Sequence, residues 1–167
     1  MRSKLDIHDM LIMRELSKDS TQSVKVLSEK LNLHPNTLSQ RIKTLEQNKY
    51  IKRYTLSFDP ADLGFIVKAF VMIRVRKNLA SAETLLSEVS KIPEVTNLAS
   101  VTGSEDCVAT VYARDTTDLV RVLRIIQTAK DVLKTTTFIS LIDYKQNTEL
   151  DLLEKAISAS NSDSTEK

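Results

Sequence analysis

Asn36, Thr37, Gln40, Arg41 and Lys43 all fall within residues 36–43. Amide, hydroxyl and cationic side chains at this spacing share the outward face of an α-helix, where they can hydrogen-bond phosphate oxygens and base edges. Gln40 is suited to a bidentate contact with adenine and Thr37 to a phosphate, and neither assignment outranks the other. Arg41 has two readings, because Leu38 and Ile42 frame it. One is a nucleic-acid contact, which the basic surroundings favour, and the other is an ion pair that anchors the domain. Material for catalysis is thin by comparison. Two histidines and one cysteine lie far apart without metal-ligand spacing, and no nucleophile cluster or phosphate loop is present, so neither an enzyme nor a metal site is expected.

The elements that must carry this face are legible around it. Val24, Leu27 and Leu31 give one helical stripe and Leu38, Ile42 and Leu45 a second, broken near Asn32 and Pro35, with Leu33 plugging the angle. Two helical periods interrupted by so short a turn predict a helix-turn-helix. A preceding helix is expected over residues 6–17, capped by Asp6, and Ser23 should cap the next one. Residues 50–56 alternate enough to predict a short strand, giving a winged-helix-like unit. Charge supports the location of a polyanion partner. Residues 1–58 hold eleven Lys/Arg against six Asp/Glu, residues 59–145 eleven of each, and residues 146–167 two against five.

Residues 59–66, with Pro60 and Gly64, read as a linker. Beyond it the apolar period changes to two: Val67, Ala69, Val71, Ile73 and Val75 mark a strand. A helix over 80–91, strands over 95–102 and 106–113, a helix through Leu119, Val122, Leu123 and Ile126, and a strand over 134–144 follow. That order is the split βαββαβ of ferredoxin-like domains, making the chain α+β. The expected domains are 1–58, a linker 59–66, 67–145, and an acidic tail 146–167. In that tail Leu150, Leu153 and Ile157 suit one short helix before a disordered polar end. The second sheet face carries Phe70, Met72, Leu98, Val108, Tyr112, Phe138 and Ile142, which is too apolar for a monomer's wet surface. A homodimer joined face to face through the sheets is therefore expected. No apolar run is long enough for a membrane span, the N-terminus lacks a signal peptide's apolar centre, and the lone Cys107 reads as a buried small hydrophobe, so a cytoplasmic protein is expected.

With both halves assigned, the chain resembles the leucine-responsive regulatory protein/asparagine regulator family, the feast/famine regulators. At the head the resemblance rests on Leu5, Asp6, Asp9 and Ile12, on Leu27, Ser28, Leu31 and Leu33, and on Arg41, Ile42, Leu45 and Glu46. It continues through Ile51-Lys52-Arg53-Tyr54-Thr55 and Asp59, Pro60, Leu63 and Gly64. In the second half it rests on Ile92-Pro93-Glu94-Val95, on Val101-Thr102-Gly103-Ser104-Glu105-Asp106, and on the threonines before Phe138. The chain departs from the family's habit at Ser28 (often Ala), Asn32 (often Gly), His34 (often Ser) and Lys49 (often Gly). Asn32 suits a left-handed turn, and a positive φ near residue 49 falls on Lys49 or on Asn48. His34 bears on how the helix of Asn36 and Gln40 is capped and on its first phosphate contact.

The resemblance implies a transcription regulator whose head binds double-stranded DNA and whose second domain dimerises and senses a small amino-acid-like effector, with no cofactor. It implies further assembly to tetramers or octamers, and effector binding near Gly103, Ser104, Glu105 and Asp106. Gly103 has a local reading as a hairpin glycine and a functional one as a place of close backbone approach, its N–H groups receiving a carboxylate. Glu105 and Asp106 are candidates for an ammonium group, and Thr136, within 135–137, for a hydroxyl contact, although threonines there also suit a strand. An architectural, nucleoid-type DNA-binding protein of the same fold with no effector is the alternative.

Overall fold

The computed structural model describes residues 5–76, 79–145 and 148–162. The chain divides into two units, Met1–Leu56 with Lys145–Lys167, and Ser57–Tyr144.

The first unit begins with α1 (Ile7–Lys18), whose N-terminus is closed by a capping box: Asp6 Oδ1 accepts from Asp9 N–H at 2.8 Å, and Asp9 Oδ2 from Asp6 N–H at 3.2 Å. Ser23 caps α2 (Val24–Leu31) through Val26 N–H. Asn32 then takes the left-handed conformation at φ 51°, and α3 (Pro35–Gln47) follows. Ile12, Leu27, Leu38 and Leu45 are buried at the centre of the three helices, with Leu33, Ile42, Tyr50 and Ile51 packed around them. Each fully buried aliphatic side chain contributes about 1.5–3 kcal/mol. Lys49, and not Asn48, carries the positive φ, at 57°, a conformation that costs a residue with a Cβ about 1 kcal/mol.

Two expectations fail in this unit. Residues 50–56 form no strand. The N–H groups of Tyr50 and Ile51 both turn back onto the Leu45 carbonyl, and the unit offers no described strand to pair with, so alternation alone cannot build a ladder. The tail, in turn, is structured further than its composition suggests. A sixth helix in the chain, named below in order, runs over Thr148–Ser162; Ile157 is 5% exposed and the helix packs against α1. Residues 163–167, the rest of the segment expected to be disordered, lie outside the described residues.

The second unit opens with a 3-10 turn, Pro60–Leu63, capped by Asp59 and ended by Gly64 at φ 84°. Then come β1 (Val67–Val75), α4 (Leu79–Val89), β2 (Val95–Ser100), β3 (Cys107–Ala113), α5 (Thr116–Thr128) and β4 (Val132–Ile139); α6 is the Thr148–Ser162 helix of the first unit. The sheet is antiparallel with order β2-β3-β1-β4, the expected βαββαβ arrangement. Its helix-side face is a closed core. Ala69, Val71, Ile73, Cys107, Ala109, Val111 and Ala113 from the central strands are fully buried against Leu85 and Val89 of α4 and Leu119, Val122 and Ile126 of α5. The small strand residues let two helices lie close over the sheet.

The other face carries Phe70, Met72, Val108, Tyr112 and Phe138, as their register shows. Lys68 folds over it, its Nζ 5.4 Å from the Phe70 ring centre and 5.8 Å from that of Tyr112, and pairs with Asp143 at 2.7 Å. Leu98 and Ile142 do not belong to this face. The irregularity between Val95 and Asn97 places Leu98 opposite Ala109, on the helix side. Ile142 lies beyond the end of β4, because Ser140 N–H to the Lys68 carbonyl is the last rung that β1 can supply.

Candidate nucleic-acid interface and effector turn

Capping fixes where α3 begins. His34 is its N-cap, with Nδ1 accepting from Asn36 N–H at 3.3 Å, and Pro35 occupies the first helical position. An accepting Nδ1 puts the neutral ring's proton on Nε2, leaving that N–H free to donate outward. The Ser28 hydroxyl, buried where the turn packs, donates to the Lys25 carbonyl at 2.7 Å, so it sits there without an unpaired polar atom. From these anchors Asn36, Gln40 and Lys43 follow at intervals of four and three along α3, and Thr37 flanks them. All four are exposed, with no side-chain hydrogen bond or ion pair among the described residues. The structure thus gathers His34, Asn36, Thr37, Gln40 and Lys43 on one free surface.

Arg41 is engaged differently: of its two readings, the ion pair is the one formed within the chain. Its Nη1 donates to Asp6 Oδ2 and to Asp9 Oδ1, both at 2.7 Å, which fastens α3 to the capping box of α1. Contacts with Asp6, then Asp9, outweigh desolvation and raise the guanidinium's pKa further. Burial works to raise the Asp6 carboxyl, but the Asp9 N–H bond and Arg41 outweigh it and hold Asp6 below its ordinary range. One hundred degrees per residue carries position 41 toward the buried stripe and away from Gln40, which is the physical reason for the division of labour.

The turn between β2 and β3 is less open than its sequence suggests. Gly103 sits at φ 127° with nothing within 4 Å of where a Cβ would stand, so within this chain its conformation, and no close neighbour, calls for glycine. Ser104 is exposed. Asp106 is used structurally: its Oδ2 accepts from Val75 N–H at 2.8 Å, and its backbone bonds Ile73 and Val101. Glu105 pairs with Arg74 at 3.1 Å, yet Arg74 Nε and Glu105 Oε2 remain buried without a hydrogen-bond partner. Thr136 lies opposite Met72 on the same face as Arg74. Arg74 shares this face of β1 with Lys68, and a second cation among its apolar alternate positions was the signal in the sequence.

Comparison with known proteins decides the family. The Lrp/AsnC ligand binding domain matches residues 68–150, and a winged helix-turn-helix DNA-binding domain matches residues 5–52. The HTH-type transcriptional regulator FL11 of Pyrococcus horikoshii is 30% identical over 150 residues, covering 90% of this chain and 98% of that protein. The chain belongs to the Lrp/AsnC family of transcription regulators.

This Lrp/AsnC regulator also matches solved structures along nearly their whole length. A transcriptional regulator from Neisseria meningitidis in complex with L-methionine superposes with a TM-score of 0.82 at 25% identity, over 87% of this chain and 95% of that one. AsnC of E. coli shares the fold at 24% identity, with a TM-score of 0.82 over 87% of this chain and 98% of that one. The Lrp/AsnC chain is accordingly a DNA-binding transcription regulator and not an enzyme. No helix among its described residues is long and apolar enough to cross a membrane.

Proposed function

We propose that this regulator reads a specific DNA sequence as a homodimer and changes its binding in response to a free amino acid or a closely related metabolite. The observation that carries the reading is the row Asn36, Gln40 and Lys43, exposed and unpaired on a helix whose start is fixed by His34 and Pro35. Such a row presents both base-reading amides and a phosphate-binding cation. His34 Nε2 and Thr37 supply phosphate contacts at the helix's N-terminal end, where the dipole favours an anion. Joined through the apolar sheet face of Phe70, Met72, Val108, Tyr112 and Phe138, two copies would present two such helices to an imperfect palindrome.

For the effector, the pair Arg74 and Glu105 supports the region of Gly103, Ser104 and Glu105, with Thr136 on the adjoining face. One cation and one carboxylate, each incompletely used, match the two charges of a zwitterion. Asp106, being committed to Val75, serves to hold this turn. The Neisseria relative's complex with L-methionine points to the same chemical class for the ligand.

Titration of labelled duplex from upstream of the protein's own coding sequence tests the DNA reading. Binding well below micromolar is expected, and Gln40→Ala should cost about 1–3 kcal/mol of preference for that site over unrelated duplex. Retained preference would refute the assignment of α3. Thermal shift with the twenty amino acids tests the effector: a rise with at least one is expected, and no rise with any leaves the architectural reading.

A further inference from the structure

We propose that α6, with the strap that leads into it, is a short second tether between the sheet domain and the reading head, and that it makes the homodimer discriminate the spacing of its two half-sites. This rests on the homodimer reading above and adds to it an element that limits where each head can reach.

The chain joins the head to the sheet domain twice, because the head is built from segments on both sides of that domain. The first connection runs from Tyr54, whose hydroxyl donates to Glu46 in the last turn of α3 at 2.9 Å, to Phe65, whose ring lies 5.6 Å from the Arg114 guanidinium. Chain of that length reaches at most about 40 Å. The second connection is far shorter. Ser140 N–H donates to the Lys68 carbonyl at 2.8 Å, and Asp143 takes the Lys68 ammonium at 2.7 Å and the Ser140 hydroxyl at 3.0 Å, so the strap is fastened to β1 as far as Asp143. On the head's side α6 begins at Thr148, and Lys145 pairs with Asp151 in its first turn at 2.6 Å. From Asp143 to Thr148 the chain spans at most about 18 Å.

A tether is only as firm as its grip, and α6 grips the head by docking. A helix of 15 residues is marginal alone in water, so packing holds it. Ile157 is buried, Leu150 and Leu153 are half-buried at the same helical spacing, and Glu154 faces Arg14 and Lys18 of α1 at 3.8 and 3.9 Å. The capping box of α1 is in turn fastened to α3 by Arg41. The hold therefore passes from β1 through the strap and α6 to α1, and from α1 to the helix that carries Asn36 and Gln40. Leu153, Glu154 and Ile157 lie beyond residues 5–52 and 68–150, so this grip is no part of either matched domain. A head on one long tether can swivel and range. With a second, shorter attachment elsewhere on it, the shorter one sets the reach, and with it the local concentration of one head at a half-site once the other has bound.

Lengthening the strap while leaving both grips intact tests this. A run of about ten Gly/Ser residues inserted between residues 146 and 147 of the full chain adds about 17 Å of average reach. Wild type and the insertion variant are titrated with the preferred duplex and with a version carrying about five extra base pairs at its centre, which move one half-site by about 17 Å and turn it to the opposite side. Wild type should lose about tenfold or more in affinity on the extended duplex, and the variant about threefold or less. The α1 amides of the variant should exchange as slowly as those of wild type, because α6 still docks. If the variant discriminates between the two duplexes by the wild-type factor, the tether is not the cause and the DNA reading stands. If α1 exchange quickens, the strap and not the α1 surface holds α6 in place, and the proposal is again wrong. A wild-type chain that binds no duplex, or binds both equally, overturns the paired-head reading together with the tether.

Discussion

Arg41 bridges the capping box of α1, so its loss should be felt in the stability of the head before it is felt in DNA selectivity. The pair is about one-third exposed on the arginine side, and Arg41→Ala should cost about 1 kcal/mol. Asp6 gives this a pH signature. Its folded-state pKa lies below the ordinary 3.8, so its contribution is complete above that value and is lost as pH falls through the lowered one. Wild-type melting temperature should therefore drop on acidification below about pH 4, and the drop should be shallower in Arg41→Ala; parallel curves would separate Arg41 from the shift. Cys107 makes a simpler case. Burial, then the charge of Asp106, push its thiol up against the opposing Ser100 hydrogen bond. With its side chain sealed under the helices, it should resist thiol reagents until the sheet domain unfolds.

Among the elements, α6 makes the sharpest demand. Its Leu150, Leu153 and Ile157 recur at helical spacing, Ile157 is 5% exposed, and Glu154 faces Arg14 and Lys18. Ile157→Ala should destabilise the head by about 2–3 kcal/mol, read as faster amide hydrogen exchange in α1 while the β3 amides keep their protection. The stripe of α6 was visible in sequence, but its length was not, since residues 158–162 are mostly Ser and Asn, whose weak helix propensity leaves the outcome to context. The capped helices and the βαββαβ order were legible because cap residues and apolar periods are local. Residues 50–56 misled because strand formation depends on a partner no local pattern reveals. Leu98 misled because a single irregularity in β2 flips every later side chain to the other face. At the DNA-facing site the exposed amides were readable from α3's period, whereas Arg41's partners lie 32 and 35 residues away.

Across the whole molecule, the proposed dimer depends on the apolar sheet face. Phe138 is 54% exposed there, and Phe70 stands beside it on the neighbouring strand. Phe138→Lys should shift sedimentation toward the monomer and weaken operator binding, since two half-sites would no longer be engaged together; an unchanged mass would place the interface elsewhere. The division of the chain has a further consequence. The DNA-binding unit is built from both ends of the sequence, 1–56 and 145–167, and the sheet domain is inserted between them. During synthesis the first three helices emerge before the strands, but the helix that covers α1 emerges only after all four of them. The sheet domain can therefore fold, and meet another copy, before the reading head of either chain is finished. In the proposed dimer, pairing of the sheet domains would then precede completion of the reading heads.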